Sequence, residues 1–244
     1  MTDLKTRFKL PLRALGLLLV PPRCLSCELY QNEALNLGLC SPCFGLLSPN
    51  DGHRCATCDL PIPESSSPRC RGCSLTPPSF TNLRAPYHYG GPLAEVIKAV
   101  KFNQRVDLIP SLARLLTEDP EASALVNTPN ALLVPIPTSR PRLIRRGHNQ
   151  AALLARALAR RWKLPIRYLL KQVRAPAPQS TLSKFERAQQ LAGAFKATAI
   201  PQETVLVLID DVVTTGATVR HAAEALYAQG ATEVRVLSVA RTLA

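Results

Sequence analysis

The segment that decides the fold is VLVLIDDVVTTGAT, at residues 205–218. Residues 205–209 form a short apolar run rich in β-branched side chains, which is typical of a strand buried on both faces of a parallel sheet. Beyond Val219 the apolar residues recur at helical spacing, and Gly230 is placed to end that helix. The segment therefore predicts a buried strand, ended by two carboxylates, and then a helix, which together indicate an α/β fold.

The turn between this strand and this helix combines two carboxylates with a small, hydroxyl-rich loop. A helix N-terminus offers unpaired N–H groups and partial positive charge, and a glycine lets a phosphate approach the backbone closely. Asp210 and Asp211 can accept hydrogen bonds from sugar hydroxyls or bind a hard cation such as Mg²⁺. The alternative is an ordinary turn with a threonine N-cap. The acidic pair and the Thr-Thr-Gly-x-Thr spacing together favour a site for a phosphorylated sugar.

The positive charge of the chain is concentrated in one stretch. The 244 residues carry a formal net charge of +13 and are 46% hydrophobic, enough for one sizeable core with a small appendage or for two modest domains. Residues 122–202 contain fourteen lysines and arginines but one acidic residue, Glu186. Such a stretch predicts binding to polyanions, either nucleic acid or polyphosphate ligands. The alternative is a solvated basic face that serves solubility alone.

The first twenty residues resemble a signal peptide in the order of their charges, because basic residues precede the apolar run 15–20. That run is at the short limit, no small-residue cleavage site follows, and Pro21 and Pro22 lead into a cysteine motif. We therefore expect residues 1–20 to form an amphipathic or docking helix. No run reaches the roughly 18–20 apolar residues that span a bilayer, so we expect a cytoplasmic protein.

The eight cysteines form four Cys-x-x-Cys pairs. Two pairs complete a tetrahedral Cys₄ site, so the count predicts two structural Zn²⁺ ions in residues 21–79; disulfides would need an oxidising compartment that nothing in the sequence supports. Sequential pairing gives two zinc ribbons and interleaved pairing gives a cross-braced module. Lower loop entropy favours the sequential arrangement. The expected ligands are Cys24, Cys27, Cys40, Cys43, Cys55, Cys58, Cys70 and Cys73.

Residues 80–244 predict one α/β domain, because strand-like and helix-like periods alternate along them. Besides 205–209, the expected strands lie at 83–89, 131–137, 166–170 and 233–240. The expected helices lie at 93–101, 106–116 and 151–161, and from 219 onward. Residues 138–150 are expected to form a ligand-binding loop at the carboxyl end of a strand.

Basic side chains crowd residues 138–150 and continue on an exposed face of helix 151–161. We predict that this surface binds nucleic acid, and that residues 171–187 form a long mobile loop beside the site. Lys98 and Lys101 share a helix face and could reach a bound anion, although surface lysines need no such role. The expected nucleic-acid-binding residues are Arg142, Arg145, Arg146, Arg156, Arg160 and Lys163.

The chain resembles the ComF family, in which a double zinc ribbon precedes a domain of the type I phosphoribosyltransferase kind. The resemblance is carried by the cysteine motif at 22–27, Val-Pro-Ile-Pro at 134–137, Arg-Gly-His-Asn-Gln at 146–150 and the acidic turn at Asp210. That turn matches the signature for 5-phosphoribosyl-1-pyrophosphate (PRPP). The resemblance implies a phosphoribosyltransferase-like parallel sheet flanked by helices, with PRPP and Mg²⁺ as ligands. It also implies the handling of single-stranded DNA during natural transformation, with a DNA-uptake helicase or other competence proteins as partners.

Carried over to this sequence, the resemblance assigns ribose hydroxyls and Mg²⁺ to the acidic pair and the 5-phosphate to residues 214–218. Residues 137–140 correspond to the pyrophosphate-binding loop and 174–187 to the flexible lid. Two departures are His148, where we expect Phe, and Gln190, where we expect Asn. The implied PRPP-binding set is Asp210, Asp211, Val213, Thr214, Thr215, Gly216, Ala217, Thr218, Pro137, Thr138, Ser139 and Arg140. The implied catalytic set is Asp210, Asp211, Arg174, Lys184 and Arg187.

Two functions follow from these features. A binding protein would hold single-stranded DNA on its basic surface, with PRPP as ligand or regulator, and the low aromatic content of 5% favours backbone contact over base stacking. A phosphoribosyltransferase would instead transfer the sugar from PRPP to an acceptor and release pyrophosphate, using positioning and charge stabilisation. We identify no acceptor pocket in the sequence, so we favour binding over catalysis.

Overall fold

A computed structural model describes residues 21–31, 35–65, 67–173 and 193–243. The expected N-terminal helix at 1–20 and the expected lid at 174–187, with Arg174, Lys184 and Arg187, lie outside the described residues, as does Gln190. The described strands are β1 (Leu83–Arg84), β2 (Tyr87–His88), β3 (Ala131–Pro135), β4 (Leu170–Gln172), β5 (Phe195–Ala197), β6 (Val205–Val213) and β7 (Glu233–Arg241). The described helices are α1 (Ser41–Gly45), α2 (Arg71–Leu75), α3 (Gly91–Phe102), α4 (Ile109–Glu118), α5 (Pro120–Val126), α6 (Arg140–Arg146), α7 (Gln150–Trp162) and α8 (Ala217–Tyr227), with a 3₁₀ turn at Val106–Leu108.

The centre of the described structure is a parallel sheet with strand order β1-β7-β6-β3, and β2 pairs with β7 beyond β1. The two long strands, β6 and β7, are aligned from Val205 beside Glu233 to Val213 beside Arg241. Strand β3 pairs with β6 on the other side, from Ala131 beside Val205 to Pro135 beside Ile209. The carboxyl ends of β3, β6 and β7 therefore meet at one edge of the sheet, where ligands bind in open parallel sheets.

Helices cover both faces of this sheet, which confirms the α/β prediction. Val207 and Ile209 pack on one face with α3, α4 and α7, whereas Leu206 and Leu208 pack on the other with α8 and the β4–β5 ribbon. All four side chains are fully buried, which explains why the strand is a continuous apolar run rather than an alternating one. The buried positions of α8 are Val219, Ala222, Ala223 and Leu226, as the helical spacing predicted.

Strand β6 is longer than the sequence predicted. The prediction ended it at residue 209 before the two carboxylates, but the strand continues through them to Val213. The reason is its neighbour: β7 provides partners for Asp210, Val212 and Val213 up to Arg241, so the strand continues past the acidic pair. The acidic pair therefore lies within the strand rather than in a turn.

The segment predicted as a loop at 138–150 contains helix α6. Ser139 stands at its N-cap, Pro141 lies in its first turn, and Gly147 ends it in the left-handed conformation at φ 75°. These helix signals were present in the sequence, but the crowded arginines favoured a loop. Helix α5 was not predicted either, although Asp119 caps it by accepting from Ala122 N at 2.6 Å.

The strand predicted at 166–170 is reduced to a single bridge between Ile166 and Leu133. Pro165 precedes the bridge and has no N–H to extend a ladder. The chain then forms β4, which pairs antiparallel with β5. Within the described ranges, none of the helices combines the length and the apolar content that a membrane span requires.

Candidate functional site

The acidic pair lies near the carboxyl end of β6 and is held by the backbone that follows it. The N–H of Asp211 donates to Asp210 Oδ1 at 2.9 Å, and the N–H of Val212 donates to Asp211 Oδ1 at 2.8 Å. Ser238, beside Asp210 in the register of β7, donates its hydroxyl to Asp211 O at 3.0 Å. A backbone N–H thus holds one oxygen of each carboxylate, and this fixes the direction in which the second oxygen points.

Burial and mutual repulsion dominate the electrostatics of this pair. Burial first, and the neighbouring Asp211 charge second, raise the pKa of Asp210 to about 8, and Lys101 counteracts this only in part. Asp210 therefore holds a proton near neutral pH in the ligand-free protein. A bound cation, or hydroxyl groups that donate to the carboxylate, would favour its ionised form. Strongly shifted carboxyl groups of this kind are concentrated at functional sites.

Lys101, from the last turn of α3, forms an ion pair with the acidic site. Its Nζ lies 2.9 Å from Asp211 Oδ2, and the two side chains are 21% and 13% exposed. The other lysine on this helix, Lys98, pairs with Glu95 at 2.8 Å on the surface. The prediction from the sequence did not distinguish the two lysines. The signal that could have separated them is the spacing of α3, which places Lys101 among the last residues of a largely buried helix.

The expected phosphate cradle directly follows β6. Thr214 and Thr215 are exposed, and α8 begins at Ala217, whose N–H is 3.4 Å from Thr215 Oγ1. Gly216 has φ 79°, a left-handed conformation that side chains with a Cβ rarely adopt. The first-turn N–H groups of α8 lack intrahelical acceptors, as in every helix, so this short loop leads directly to donors suited to an anion.

The expected pyrophosphate loop, residues 137–140, emerges beside the acidic pair. Strand β3 ends with Pro135 next to Ile209, and the N–H of Ile136 continues the ladder by donating to Ile209 O at 3.0 Å. Asn149 fixes the loop from the side of α7: its Nδ2 donates to Ile136 O at 3.0 Å, and its Oδ1 accepts from Ala152 N at 3.4 Å. Ser139 in this loop is buried. The structure therefore brings both expected phosphate-binding segments to adjacent strand ends.

The predicted nucleic-acid surface divides into two groups. Arg146 is half-buried and packs against neighbouring helices: its guanidinium lies 5.2 Å from the centre of the Phe102 ring and donates to Gln150 Oε1 at 3.3 Å. Burial and the neighbouring Arg142 lower the pKa of Arg146, and the charge of Asp211 partly offsets them. By contrast, Arg145 is exposed at the end of α6. Helix α7 and its C-cap carry three more exposed basic side chains, those of Arg156, Arg160 and Lys163. Arg156 donates to Tyr168 Oη at 2.7 Å and lies over its ring.

His148 makes a contact that the expected phenylalanine could not make. Its Nε2 lies 3.0 Å from the carbonyl oxygen of Val100, so the ring nitrogen donates to the end of α3. Histidine in place of the expected phenylalanine therefore adds a hydrogen bond between α3 and the segment that follows α6. No local pattern in the sequence indicates this partner, because the two residues lie far apart in the chain.

The cysteines form two clusters, each built from two consecutive Cys-x-x-Cys pairs, which confirms the favoured sequential arrangement. All eight are free of disulfides, and the sulfur atoms within each cluster lie within 4.8 Å of one another. The N–H of Cys40 points to Cys24 Sγ at 3.4 Å, and the N–H of Cys70 points to Cys55 Sγ at 3.3 Å. Four thiol groups that converge on one point suit a closed, tetrahedral Zn²⁺ site.

The pKa of one thiol in each cluster is lowered, whereas those of Cys40, Cys58 and Cys73 are raised. Burial alone would raise the pKa of Cys24, but N–H groups of Cys40, Cys27 and Ser26 outweigh it and lower the pKa to about 6. In the second cluster, N–H groups of Cys70 and Cys58 likewise outweigh burial and contribute to lowering the pKa of Cys55 to about 7. One thiol in each cluster is therefore readily ionised, and a cation would displace the protons of the others.

Comparison with known proteins agrees with this architecture. A family model described as a phosphoribosyl transferase domain matches residues 148–244. DNA utilization protein YhgH of Escherichia coli (strain K12) is 32% identical over 234 residues, covering 93% of this chain and 100% of that protein. Competence protein F of Haemophilus influenzae (strain ATCC 51907 / DSM 11121 / KW20 / Rd) is 32% identical over 228 residues, covering 90% of this chain and 96% of that one.

A third relative is competence protein ComFC of Bacillus subtilis (strain 168), which is 29% identical over 198 residues and covers 79% of both chains. The similarity to the first two proteins extends over nearly the whole chain. The chain therefore belongs to the ComF family, and its phosphoribosyltransferase-type domain follows two four-cysteine clusters in the sequence.

Proposed function

We propose that this protein binds PRPP with Mg²⁺ at the carboxyl edge of its sheet and handles single-stranded DNA on the adjoining basic surface. One observation carries the PRPP proposal: the acidic pair, the loop 214–218 and the loop 137–140 emerge from neighbouring strands β6 and β3. A sugar flanked by a monophosphate and a pyrophosphate needs three such elements side by side. A site for a simple anion would not need the carboxylates.

In this proposal the chain holds PRPP at three points. The N-terminus of α8 and the threonines at 214, 215 and 218 bind the 5-phosphate. The carboxylates of Asp210 and Asp211 accept hydrogen bonds from the ribose hydroxyls and provide oxygen ligands for Mg²⁺. The loop 137–140, with Ser139 and Arg140, binds the pyrophosphate. When bound, Mg²⁺ would neutralise part of the phosphate charge.

The cysteine clusters are proposed to hold two structural Zn²⁺ ions. The donor set and the compact sulfur arrangement support zinc over a catalytic metal, because no coordination position is left for a substrate in a closed Cys₄ site. Binding of metal would fold residues 21–79 around the two ions, since this part of the chain has few aliphatic residues of its own.

The proposed role in DNA handling is supported by the names of the relatives, a DNA utilization protein and two competence proteins. The chain contributes a localised basic field of the kind that neutralises phosphates in a sequence-independent way. Arg142, Arg145, Arg156, Arg160 and Lys163 would contact the DNA backbone. A DNA-uptake helicase or other competence proteins are the proposed partners, and the cytoplasm is the proposed location.

The alternative function is phosphoribosyl transfer to an acceptor with release of pyrophosphate. Two observations favour it: the matched family model is a transferase domain, and cations lie beside the acidic pair, where charge would develop on the leaving pyrophosphate. Lys101 is paired with Asp211, and the pKa of Arg146 responds to the Asp211 charge. These cations would equally bind PRPP without turnover.

Calorimetry with PRPP and Mg²⁺ tests the proposed ligand. We expect the wild-type protein to bind and Asp210→Ala to lose binding, while Asp107→Ala, which removes an exposed carboxylate paired with Arg105, serves as the matched control and binds normally. Unchanged affinity in Asp210→Ala would remove the proposed site. Assaying pyrophosphate release in the presence of bases, amines and nucleic acids then separates the two functions, because release that depends on one acceptor would establish the transferase.

A further inference from the structure

Three consecutive residues at the end of α3 contact the acidic pair or the segment around the end of α6. The carbonyl of Val100 accepts from His148 Nε2 at 3.0 Å, Lys101 pairs with Asp211 at 2.9 Å, and the Phe102 ring lies 5.2 Å from the Arg146 guanidinium. None of the three belongs to the signature loop or the pyrophosphate loop. Lys101 is therefore the residue of α3 that reaches the proposed PRPP site.

The ion pair blocks part of the acidic site. Asp211 Oδ1 already accepts from the N–H of Val212, and Asp211 Oδ2 is paired with Lys101. A ribose hydroxyl that is to donate to this second oxygen must compete with the ammonium group. Both side chains are mostly shielded from water, so separating them without new partners carries an unfavourable desolvation cost.

PRPP can replace both partners at once. Its ribose hydroxyls are donors for Asp211, and its pyrophosphate has anionic oxygens for Lys101. Ribose 5-phosphate has the hydroxyls and the monophosphate but no pyrophosphate, so it would leave the displaced ammonium group without an anion. The ion pair therefore disfavours the smaller ligand more than it disfavours PRPP.

We infer that Lys101 is a pyrophosphate-binding residue whose ion pair with Asp211 makes the site discriminate PRPP from ribose 5-phosphate. This inference rests on the proposed PRPP site. Lys98 differs from Lys101 although it lies three residues earlier on the same helix. Its side chain is 51% exposed and pairs with Glu95 rather than with a residue of the site. The selectivity comes from a residue outside the signature loop, supplied by a helix that precedes the sheet.

Calorimetric titrations with three probes test this inference: PRPP, ribose 5-phosphate and inorganic pyrophosphate, each with Mg²⁺. Lys101→Met is expected to weaken binding of PRPP and pyrophosphate by roughly 10- to 100-fold, the range of a charge-assisted hydrogen bond, and to leave or improve binding of ribose 5-phosphate. Lys101→Arg should restore most of the loss, because it keeps the positive charge. Lys98→Met should stay within about twofold of wild type for all three probes.

The outcomes separate this inference from the proposed function. If Lys101→Met weakens all three probes equally, the lysine acts through the fold and the inference fails while the PRPP site stands. If the affinity for PRPP is unchanged, Lys101 does not contact the pyrophosphate and the inference fails in the same way. If the wild-type protein binds ribose 5-phosphate and PRPP equally, the claimed discrimination is absent. If wild-type protein binds no PRPP at all, the proposed function and the inference are both overturned.

Discussion

Arg84 and Asp59 form a buried ion pair between the first strand of the sheet and the second cysteine cluster, with Nη1 3.3 Å from Oδ2. Arg84 also pairs with Asp119 at the start of α5, and Asp59 accepts from the N–H of Ala85 at 2.7 Å. Asp59 directly follows Cys58, a proposed metal ligand, in the chain. The polar network therefore joins a proposed metal ligand to the sheet through buried side chains.

Arg84→Met is expected to destabilise the protein by about 3–5 kcal/mol, because it removes the arginine paired with the mostly buried Asp119 and one of the two arginines that pair with Asp59. Urea denaturation followed by circular dichroism measures the change. The control is Arg105→Met, which removes an exposed partner of Asp107 and should change the free energy of unfolding by less than about 1 kcal/mol. Equal effects in the two variants would contradict the buried role of Arg84.

Asp210→Asn is expected to stabilise the ligand-free protein at pH 8. The pKa of Asp210 is raised by burial to about 8 from an ordinary value of 3.8, so the folded state holds this proton more tightly than the unfolded state. The corresponding stability is present below pH 4 and is lost as the pH rises toward 8. Asn resembles the protonated acid and does not titrate, so the variant should gain on the order of 1–3 kcal/mol at pH 8.

Urea titrations of both proteins at several pH values between 5 and 8, in buffer without Mg²⁺, measure this effect. The free energy of unfolding of the wild type should fall more steeply with pH than that of Asp210→Asn. Parallel pH profiles would show that Asp210 is already ionised in the folded protein. The same variant should lose PRPP binding, so stability and binding are expected to change in opposite directions.

The two cysteine clusters are expected to differ in their effect on global stability. Cys43 belongs to the same buried core as α3 and α4, whereas Cys73 packs in a small cluster with its own neighbours. Cys43→Ser and Cys73→Ser should each reduce the zinc content from about two ions per chain to about one. Thermal unfolding should show the larger loss for Cys43→Ser. Equal losses, or a zinc content that does not change, would contradict this assignment.

Charge reversal at Arg142 and Arg145 is expected to weaken binding of single-stranded DNA and to reduce its salt dependence. Each lost phosphate contact should reduce the slope of log K against log salt by roughly 0.7. Fluorescence anisotropy with a labelled oligonucleotide at several salt concentrations measures both effects. Arg105→Glu, outside the basic stretch, is the control. A double variant that keeps the wild-type slope would show that these arginines do not contact the DNA backbone.

The sequence predicted the parts of the structure that depend on local spacing. The apolar run before Asp210 is a strand because it is buried on both faces, and the Cys-x-x-Cys spacing gives two clusters because each pair closes locally. The helical positions of α8 followed from the spacing of Val219 and its partners. These features appear as regular spacing within one segment of the chain, so a local pattern is sufficient to identify them.

Features that depend on distant partners were missed. The end of β6 is set by β7, and no local signal shows that the strand continues through Asp210 and Asp211. The ion pair of Lys101 with Asp211 joins residues more than a hundred positions apart, so the spacing of α3 can distinguish Lys101 from Lys98 but cannot identify Asp211 as its partner. Helix α6 is a different case. Ser139 and Gly147 are typical capping residues and indicated a helix, but the segment was predicted as a loop because of the arginines between them.

The first cysteine cluster shares one continuous buried core with α3, the helix that carries Lys101. Leu37 and Leu39, between the two Cys-x-x-Cys pairs, are as buried as Leu93 and Ile97 of the helix. A fragment that begins near residue 80 would leave this apolar face in contact with water, and we expect it to aggregate rather than to bind PRPP. The segment with the first cysteine cluster therefore covers one side of the sheet domain, and we expect the two parts to fold as one unit.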